Sequence, residues 1–185
     1  MSTVITAIKD GVIHMIGDTA GSFGNGTQTQ SNKVYAGNGY LVGVCGPRDP
    51  YLAMLYDFVL PEDTVPYGNT GGGLSKREYI AGPLRSALKD VLSGMEKNSF
   101  NLQLGFYYRN DPCIIEISGG VGGMEEVTDM QWVCSGTGRE VAIGVMAALW
   151  DTDIEVRTLL EKAIEVASKY NAYTSLPSEY LILSK

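Results

Sequence analysis

Ser2 and Asp18 are the two residues whose types and spacing point most directly to chemistry. Asp10-Gly11 separates two β-branched runs and predicts a hairpin with a two-residue turn, because both turn positions favour positive φ. In that register paired residue numbers sum to 21, so Asp18 faces Thr3 and lies next to Ser2. A serine with a free α-amine of pKa about 8 carries both a nucleophile and its own general base. This pair therefore predicts acyl-transfer chemistry that needs no histidine.

The bulk composition excludes several other classes of function. His14 is the only histidine, so a histidine-rich metal site is not expected, and a Ser-His-Asp triad would need His14 itself. The 185 residues include 14 Lys+Arg and 21 Asp+Glu, and this net charge of −7 argues against a nucleic-acid partner. No apolar run approaches the about 20 residues of a membrane span. We expect one cytoplasmic domain over residues 1–185, with no cofactor, no metal ion and no membrane partner.

Turn residues and hydrophobic periodicity predict the elements that position these groups. Further hairpins are expected around Gly37-Asn38-Gly39 and Asn110-Asp111-Pro112, whereas residues 19–32 are expected to form a loop because hydrophobicity falls there. Helices are expected over residues 49–60 and 76–97, the second kinked at Gly82-Pro83. Strands are expected over residues 131–134 and 180–184, with two helices between them. The second of these has an apolar stripe at helical spacing: Val156, Leu159, Leu160, Ala163, Ile164 and Ala167.

The first hairpin is apolar on both faces and therefore needs cover on both sides. Val4 and Ile8 point to one face, and Ile5 and Ala7 point to the other. With the helices grouped between and after antiparallel hairpins, the simplest arrangement places two sheets face to face with helices outside. The expected fold class is α+β, a four-layer α/β/β/α sandwich of two antiparallel sheets.

Ordered segments along most of the chain resemble a known family. They are Gly17-Asp18, Lys33-Val34, Tyr40–Gly46, Ser135–Gly138 leading into a helix, and Asn171–Thr174. In order and spacing they resemble the proteasome β-subunits and their bacterial relative HslV, of the N-terminal nucleophile (Ntn) hydrolase superfamily. The resemblance implies the same four-layer fold.

The resemblance also implies roles for individual residues. Ser2 takes the place of the nucleophile once Met1 is removed, and Thr3 is the competing candidate. Asp18 matches the aspartate that holds the active-site lysine. Lys33 matches that lysine, whose charge lowers the hydroxyl pKa. The other implied site residues are Gly46 as the oxyanion donor, Ser135 as a proton relay, Val44 and Cys45 at the substrate pocket, and Asn171 and Thr174 as secondary members.

The resemblance implies a self-compartmentalising peptidase that assembles into homo-oligomeric rings. Its substrate would be unfolded polypeptide, and an ATP-dependent unfoldase is a further implied partner. The alternative is a catalytically inactive scaffold or assembly protein, similar to proteasome α-subunits or a virion component. The triad of Ser2, Asp18 and Lys33 favours the peptidase. Pro47, which replaces a family glycine, and a retained Met1 would favour the scaffold.

Overall fold

The computed structural model of the protein describes residues 2–22, 28–62, 73–95, 100–118, 123–127 and 131–185. Met1, on whose removal the predicted chemistry depends, lies outside this set. The strands of the described part are β1 (Thr3–Lys9), β2 (Val12–Asp18), β3 (Ala20–Ser22), β4 (Gln28–Gln30), β5 (Val34–Gly37), β6 (Tyr40–Cys45), β7 (Asn101–Tyr108), β8 (Asp111–Ser118), β9 (Met124–Glu126), β10 (Trp132–Gly136) and β11 (Ser178–Leu183). The helices are α1 (Arg48–Tyr56), α2 (Lys76–Tyr79), α3 (Arg85–Leu92), α4 (Arg139–Leu149) and α5 (Val156–Tyr170).

The first sheet is built on the hairpin that the sequence predicts. Asp10 and Gly11 both have positive φ, 51° and 76°, and the register runs from Lys9 opposite Val12 to Val4 opposite Gly17. The strand order is β10-β1-β2-β11, with all three pairings antiparallel. The start of β1 and the end of β2 therefore lie side by side at one end of the sheet.

The second sheet has the order β5-β6-β7-β8-β9 and is also antiparallel. Two predicted hairpins form its centre, with Gly37 opposite Tyr40 and Tyr108 opposite Asp111. Strand β6 is buried along its whole length, because it has strands on both sides and packed layers on both faces.

Three apolar clusters show the layer order. Val4 and Met15 of the first sheet pack with Val34 and Leu41 of the second, so the two sheets face each other. Helices α4 and α5 cover the outer face of the first sheet, and the helices between residues 48 and 92 cover the outer face of the second. The four-layer sandwich is confirmed. The apolar stripe of α5 is buried as predicted at Leu159, Leu160, Ala163, Ile164 and Ala167, each large member contributing about 1.5–3 kcal/mol of burial free energy.

Two sequence predictions are wrong in detail. Residues 19–32 are not simply a loop, since β3 and β4 pair in a small antiparallel ribbon, with Ala20 opposite Gln30. Both strands are short and lack apolar alternation, so periodicity could not find them. The helix expected over residues 76–97 ends at Leu92, and the irregularity expected at Gly82-Pro83 is a π-helical turn over Ile80–Leu84, where Pro83 lacks a backbone N–H.

Candidate active site

The carboxylate of Asp18, at the end of the first hairpin, accepts hydrogen bonds from three segments of the chain. Its Oδ1 accepts the backbone N–H of Thr3 at 2.7 Å, and its Oδ2 accepts those of Ala20 at 3.0 Å and Ser175 at 3.2 Å. Burial raises the pKa of the Asp18 carboxyl, while these N–H groups and the charge of Lys33 act in the opposite direction. The hairpin register thus brings Asp18 to the start of β1, as the sequence predicts.

Thr3 is held in place through both its backbone and its side chain. Its Oγ1 and the Oγ1 of Thr174 share a hydrogen bond of 2.6 Å under α5, and both residues are buried. The side chain of Thr3 therefore points towards the helical layer, away from the second sheet. Its hydroxyl and its nitrogen each already have a partner.

Ser2 has a fixed backbone and a free hydroxyl. Its carbonyl oxygen accepts the N–H of Thr137 at 2.8 Å. The carbonyl of Thr137 in turn accepts Nδ2 of Asn171 at 2.7 Å. The Oγ of Ser2 is buried and has no hydrogen-bond partner among the described residues. Buried hydroxyls are nearly always paired, so an unpaired one needs a functional or structural reason.

Lys33 lies next to this end of the hairpin, just before β5. Its carbonyl accepts the N–H of Val44 at 2.8 Å, which extends the β5–β6 pairing by one step. Its Nζ donates to Ser31 Oγ at 3.4 Å, and no ion pair within 4.0 Å joins it to Asp18 among the described residues. Burial lowers the pKa of Lys33, and the nearby charge of Asp18 raises it. The ammonium group is therefore only loosely held.

Ser135 takes part in a polar network between the two sheets. Its Oγ donates to Glu116 Oε1 at 2.7 Å and accepts Nε2 of Gln103 at 2.8 Å. Gln103 also accepts the hydroxyl of Thr6 at 2.5 Å. In the β1–β10 register Ser135 lies opposite Val4. The structure thus places the Ser135 hydroxyl in this network, and it records no hydrogen bond from it to Ser2.

A cleft of about 420 Å³ opens beside these groups. Lys33, Val44 and Gly46 line it, together with Arg48 and Tyr51 at the start of α1. Ser2 and Cys45 are not among its described lining residues, and both are buried. Burial raises the pKa of the Cys45 thiol to about 12, so it is a neutral thiol near pH 7. Of the two predicted pocket residues, Val44 lines the cleft, whereas Cys45 is buried and is not among its described lining residues.

The sequence analysis did not identify two residues of this region, Gln103 and Arg48, because the sequence signal for each is weak. Gln103 stands alone as a polar residue between Leu102 and Leu104, and its partners lie on strands far away in sequence. Arg48 follows Gly46-Pro47 but carries no motif of its own.

Within the described residues no cluster of three or more potential metal ligands occurs, and none of the described helices is long and apolar enough to cross a membrane.

Solved structures share this fold, although the sequence matches no protein-family model and no curated protein. HslV from Trypanosoma brucei matches with a TM-score of 0.70 at 14% identity, covering 99% of each chain. Anbu, an ancestral beta-subunit from Yersinia bercovieri, matches with a TM-score of 0.71 at 13% identity over 98% of this chain and 81% of that one. BPH from Thiobacillus denitrificans in complex with epoxomicin matches with a TM-score of 0.68 at 16% identity, over 98% of this chain and 97% of that one.

Similarity at these identities establishes the fold. The chain has the proteasome-like Ntn-hydrolase fold, which the ordered motifs of the sequence predict.

Proposed function

We propose that the protein is a peptidase whose nucleophile is Ser2, freed at its α-amine by removal of Met1. The free hydroxyl of Ser2 carries this proposal. Near the start of β1 the hydroxyls of Thr3 and Ser135 are already hydrogen-bonded, whereas that of Ser2 has no partner among the described residues. Successive strand residues point to opposite faces, so Ser2 is directed away from the helical side that Thr3 takes. That is the side of Lys33 and Cys45.

In the proposed mechanism Ser2 Oγ attacks the peptide carbonyl and its own α-amine accepts the hydroxyl proton. The amine passes the proton to the departing amine of the substrate, and water then hydrolyses the acyl-enzyme ester. The charge of Lys33 lowers the pKa of the Ser2 hydroxyl, and Asp18 holds the hairpin end in place. The N–H of Gly46, at the cleft, is the proposed donor to the oxyanion.

The substrate and the assembly are further parts of the proposal, and the similarity of fold supports them. Unfolded polypeptide is the proposed substrate, and self-association into a homo-oligomeric ring in the cytoplasm would enclose the site. An ATP-dependent unfoldase is the proposed supplier of substrate. Native mass spectrometry tests the assembly directly, and a monomer at micromolar concentration would refute it.

Intact mass and turnover by matched variants test the nucleophile. We expect the purified protein to lack Met1 and to cleave peptides or casein. Ser2→Ala should lose cleavage by about 10³-fold or more, the scale of losing a nucleophile. Ser2→Thr is the matched control and should retain cleavage, because it keeps a hydroxyl on the same atom position. A mass that retains Met1, with no cleavage by any of the three proteins, would overturn the proposal.

A second readout uses epoxomicin, which is in complex with the Thiobacillus denitrificans protein. If the sites are alike, epoxomicin should raise the thermal midpoint of the wild type and leave that of Ser2→Ala unchanged. The non-catalytic scaffold remains the competing function because one observation favours it: Ser2 is 0% exposed. A processed Ser2 terminus with no Ser2-dependent turnover and no response to epoxomicin would favour the scaffold.

A further inference from the structure

The cleft beside Ser2 has a charge opposite to that of the whole chain. The protein carries 21 acidic and 14 basic residues, yet the charged residues among the described lining of the cleft are Lys33 and Arg48. None of the described lining residues is acidic. The remaining polar lining is uncharged: Thr29, Gln30, Ser31, Asn32 and Tyr51.

The two cations differ in how far their charges are already balanced. Burial lowers the pKa of Lys33, but the nearby carboxylate of Asp18 acts in the opposite direction and so balances part of its charge. Arg48, the first residue of α1, is exposed, and its guanidinium has no ion pair or hydrogen bond within the described part of the chain. Burial and the charge of Glu179 raise the pKa of the Tyr51 phenol in the cleft wall, and the charge of Arg48 acts in the opposite direction. Arg48 is therefore the cation in this cleft that is left for a ligand.

Arg48 also borders a second cavity. This cavity, of about 340 Å³, is lined by Arg48 as its only charged residue in the described set. It shares Tyr51, Gln30, Ser31 and Asn32 with the first cleft. Arg48 thus lines both cavities.

We propose that this cleft selects substrates with an acidic side chain immediately before the scissile bond, and that Arg48 determines this preference. The inference rests on the proposed peptidase function. Gly46, the proposed oxyanion donor, lines the same cleft as Arg48 and is two residues away in sequence. A substrate residue whose carbonyl lies at Gly46 therefore has its side chain at the cleft. A guanidinium pairs with a carboxylate through parallel N–H···O bonds, which a neutral amide cannot match.

Fluorogenic peptides that differ only at this residue test the preference. We expect kcat/KM for the Glu peptide to exceed that for the isosteric Gln peptide by about five- to tenfold, the range of a partly exposed charged hydrogen bond. Arg48→Gln should bring the ratio close to one, and Arg48→Glu should favour Lys and Arg peptides. High salt should shrink the Glu preference of the wild type, because an exposed ion pair is screened. Arg77→Gln, the same change at an exposed arginine of α2, should leave the ratio unaltered.

The outcomes separate this inference from the peptidase proposal. Ser2-dependent cleavage with a Glu-to-Gln ratio below about two, or a preference that survives Arg48→Gln, would overturn the inference and leave the peptidase standing. If no peptide is cleaved, binding decides: Ser2→Ala should bind a peptide ending in Glu more tightly than one ending in Gln, and Arg48→Gln should abolish the difference. Equal binding of the two peptides would overturn the inference.

Discussion

Replacement of Gly136 by alanine would push a methyl group into the backbone of the candidate nucleophile. Gly136 has φ of +97°, a region that L side chains rarely adopt. A Cβ built at this position would lie 1.9 Å from the carbonyl oxygen of Ser2 and 2.9 Å from Sγ of Cys45. Neither the strand nor the buried thiol has room to move aside. Glycine is thus required at position 136 for two reasons: the neighbouring atoms leave no space for a Cβ, and the backbone has a positive φ.

The cost of Gly136→Ala has three parts. The left-handed backbone costs an alanine about 1–2 kcal/mol. Displacement of Ser2 breaks the 2.8 Å bond from the Thr137 N–H, worth about 0.5–1.5 kcal/mol. Overpacking against the fixed neighbours costs about 1–3 kcal/mol. We expect a loss of about 2.5–6.5 kcal/mol in the free energy of unfolding, which at about 2–4 °C per kcal/mol lowers the thermal midpoint by roughly 5–25 °C.

Gly144→Ala is the matched control for this experiment. Gly144 is exposed within α4, and a Cβ there would meet no atom within 4 Å. Alanine is the better helix former, so this change should stabilise the protein by about 0.5–1 kcal/mol. Urea unfolding curves of the wild type, Gly136→Ala and Gly144→Ala, measured at the same protein concentration, give both changes in the free energy of unfolding. A loss below about 1 kcal/mol for Gly136→Ala, or equal losses for the two variants, would refute the reasoning.

Three other variants test the surroundings of the site. Asp18→Asn keeps one acceptor oxygen but leaves two backbone N–H groups facing an amide N–H₂, so urea unfolding should show a loss of about 2–4 kcal/mol. Thr174→Val should cost about 1–3 kcal/mol by leaving the Thr3 hydroxyl unpaired, and in a double-mutant cycle Thr3→Val should recover most of it. Burial lowers the pKa of His14 below 6.5, so the unfolded state binds more protons as pH falls through 6.5 towards the folded-state value. Wild-type stability should fall over that window, His14→Gln should lose this contribution, and the single imidazole NMR signal should titrate below pH 6.5.

Local signals in the sequence were enough to place Asp18 beside the start of β1. Asp10-Gly11 determines the turn, the turn determines the register, and the register carries Asp18 to Thr3 without any long-range information. The layer order was equally accessible, because strands that are apolar on both faces require cover on both faces. The hairpin depends on neighbours within about 20 residues in sequence, whereas the layer order follows from the burial of both strand faces.

The rest of the site depends on contacts that spacing alone does not encode. Ser135 was placed by resemblance, but its hydroxyl partners, Gln103 and Glu116, come from strands of the opposite sheet. The free hydroxyl of Ser2 could be recognised only after the partners of Thr3 were known. Arg48 could be recognised as a candidate binding residue only from its position in the lining of the cleft, because no pattern in the sequence distinguishes it from other surface arginines.

The bonds from residues 174 and 175 to the first hairpin have a consequence for the order of events during synthesis. Thr174 pairs with a residue 171 positions earlier, and Ser175 with one 157 positions earlier. At about 5–20 residues per second, the ribosome takes roughly 10–30 s to add that length of chain. Until then the end of the first hairpin lacks its hydrogen bonds to Thr174 and Ser175, and Ser2 has not reached its fully buried position. The proposed removal of Met1 is therefore expected to take place in this interval, before Ser2 becomes buried.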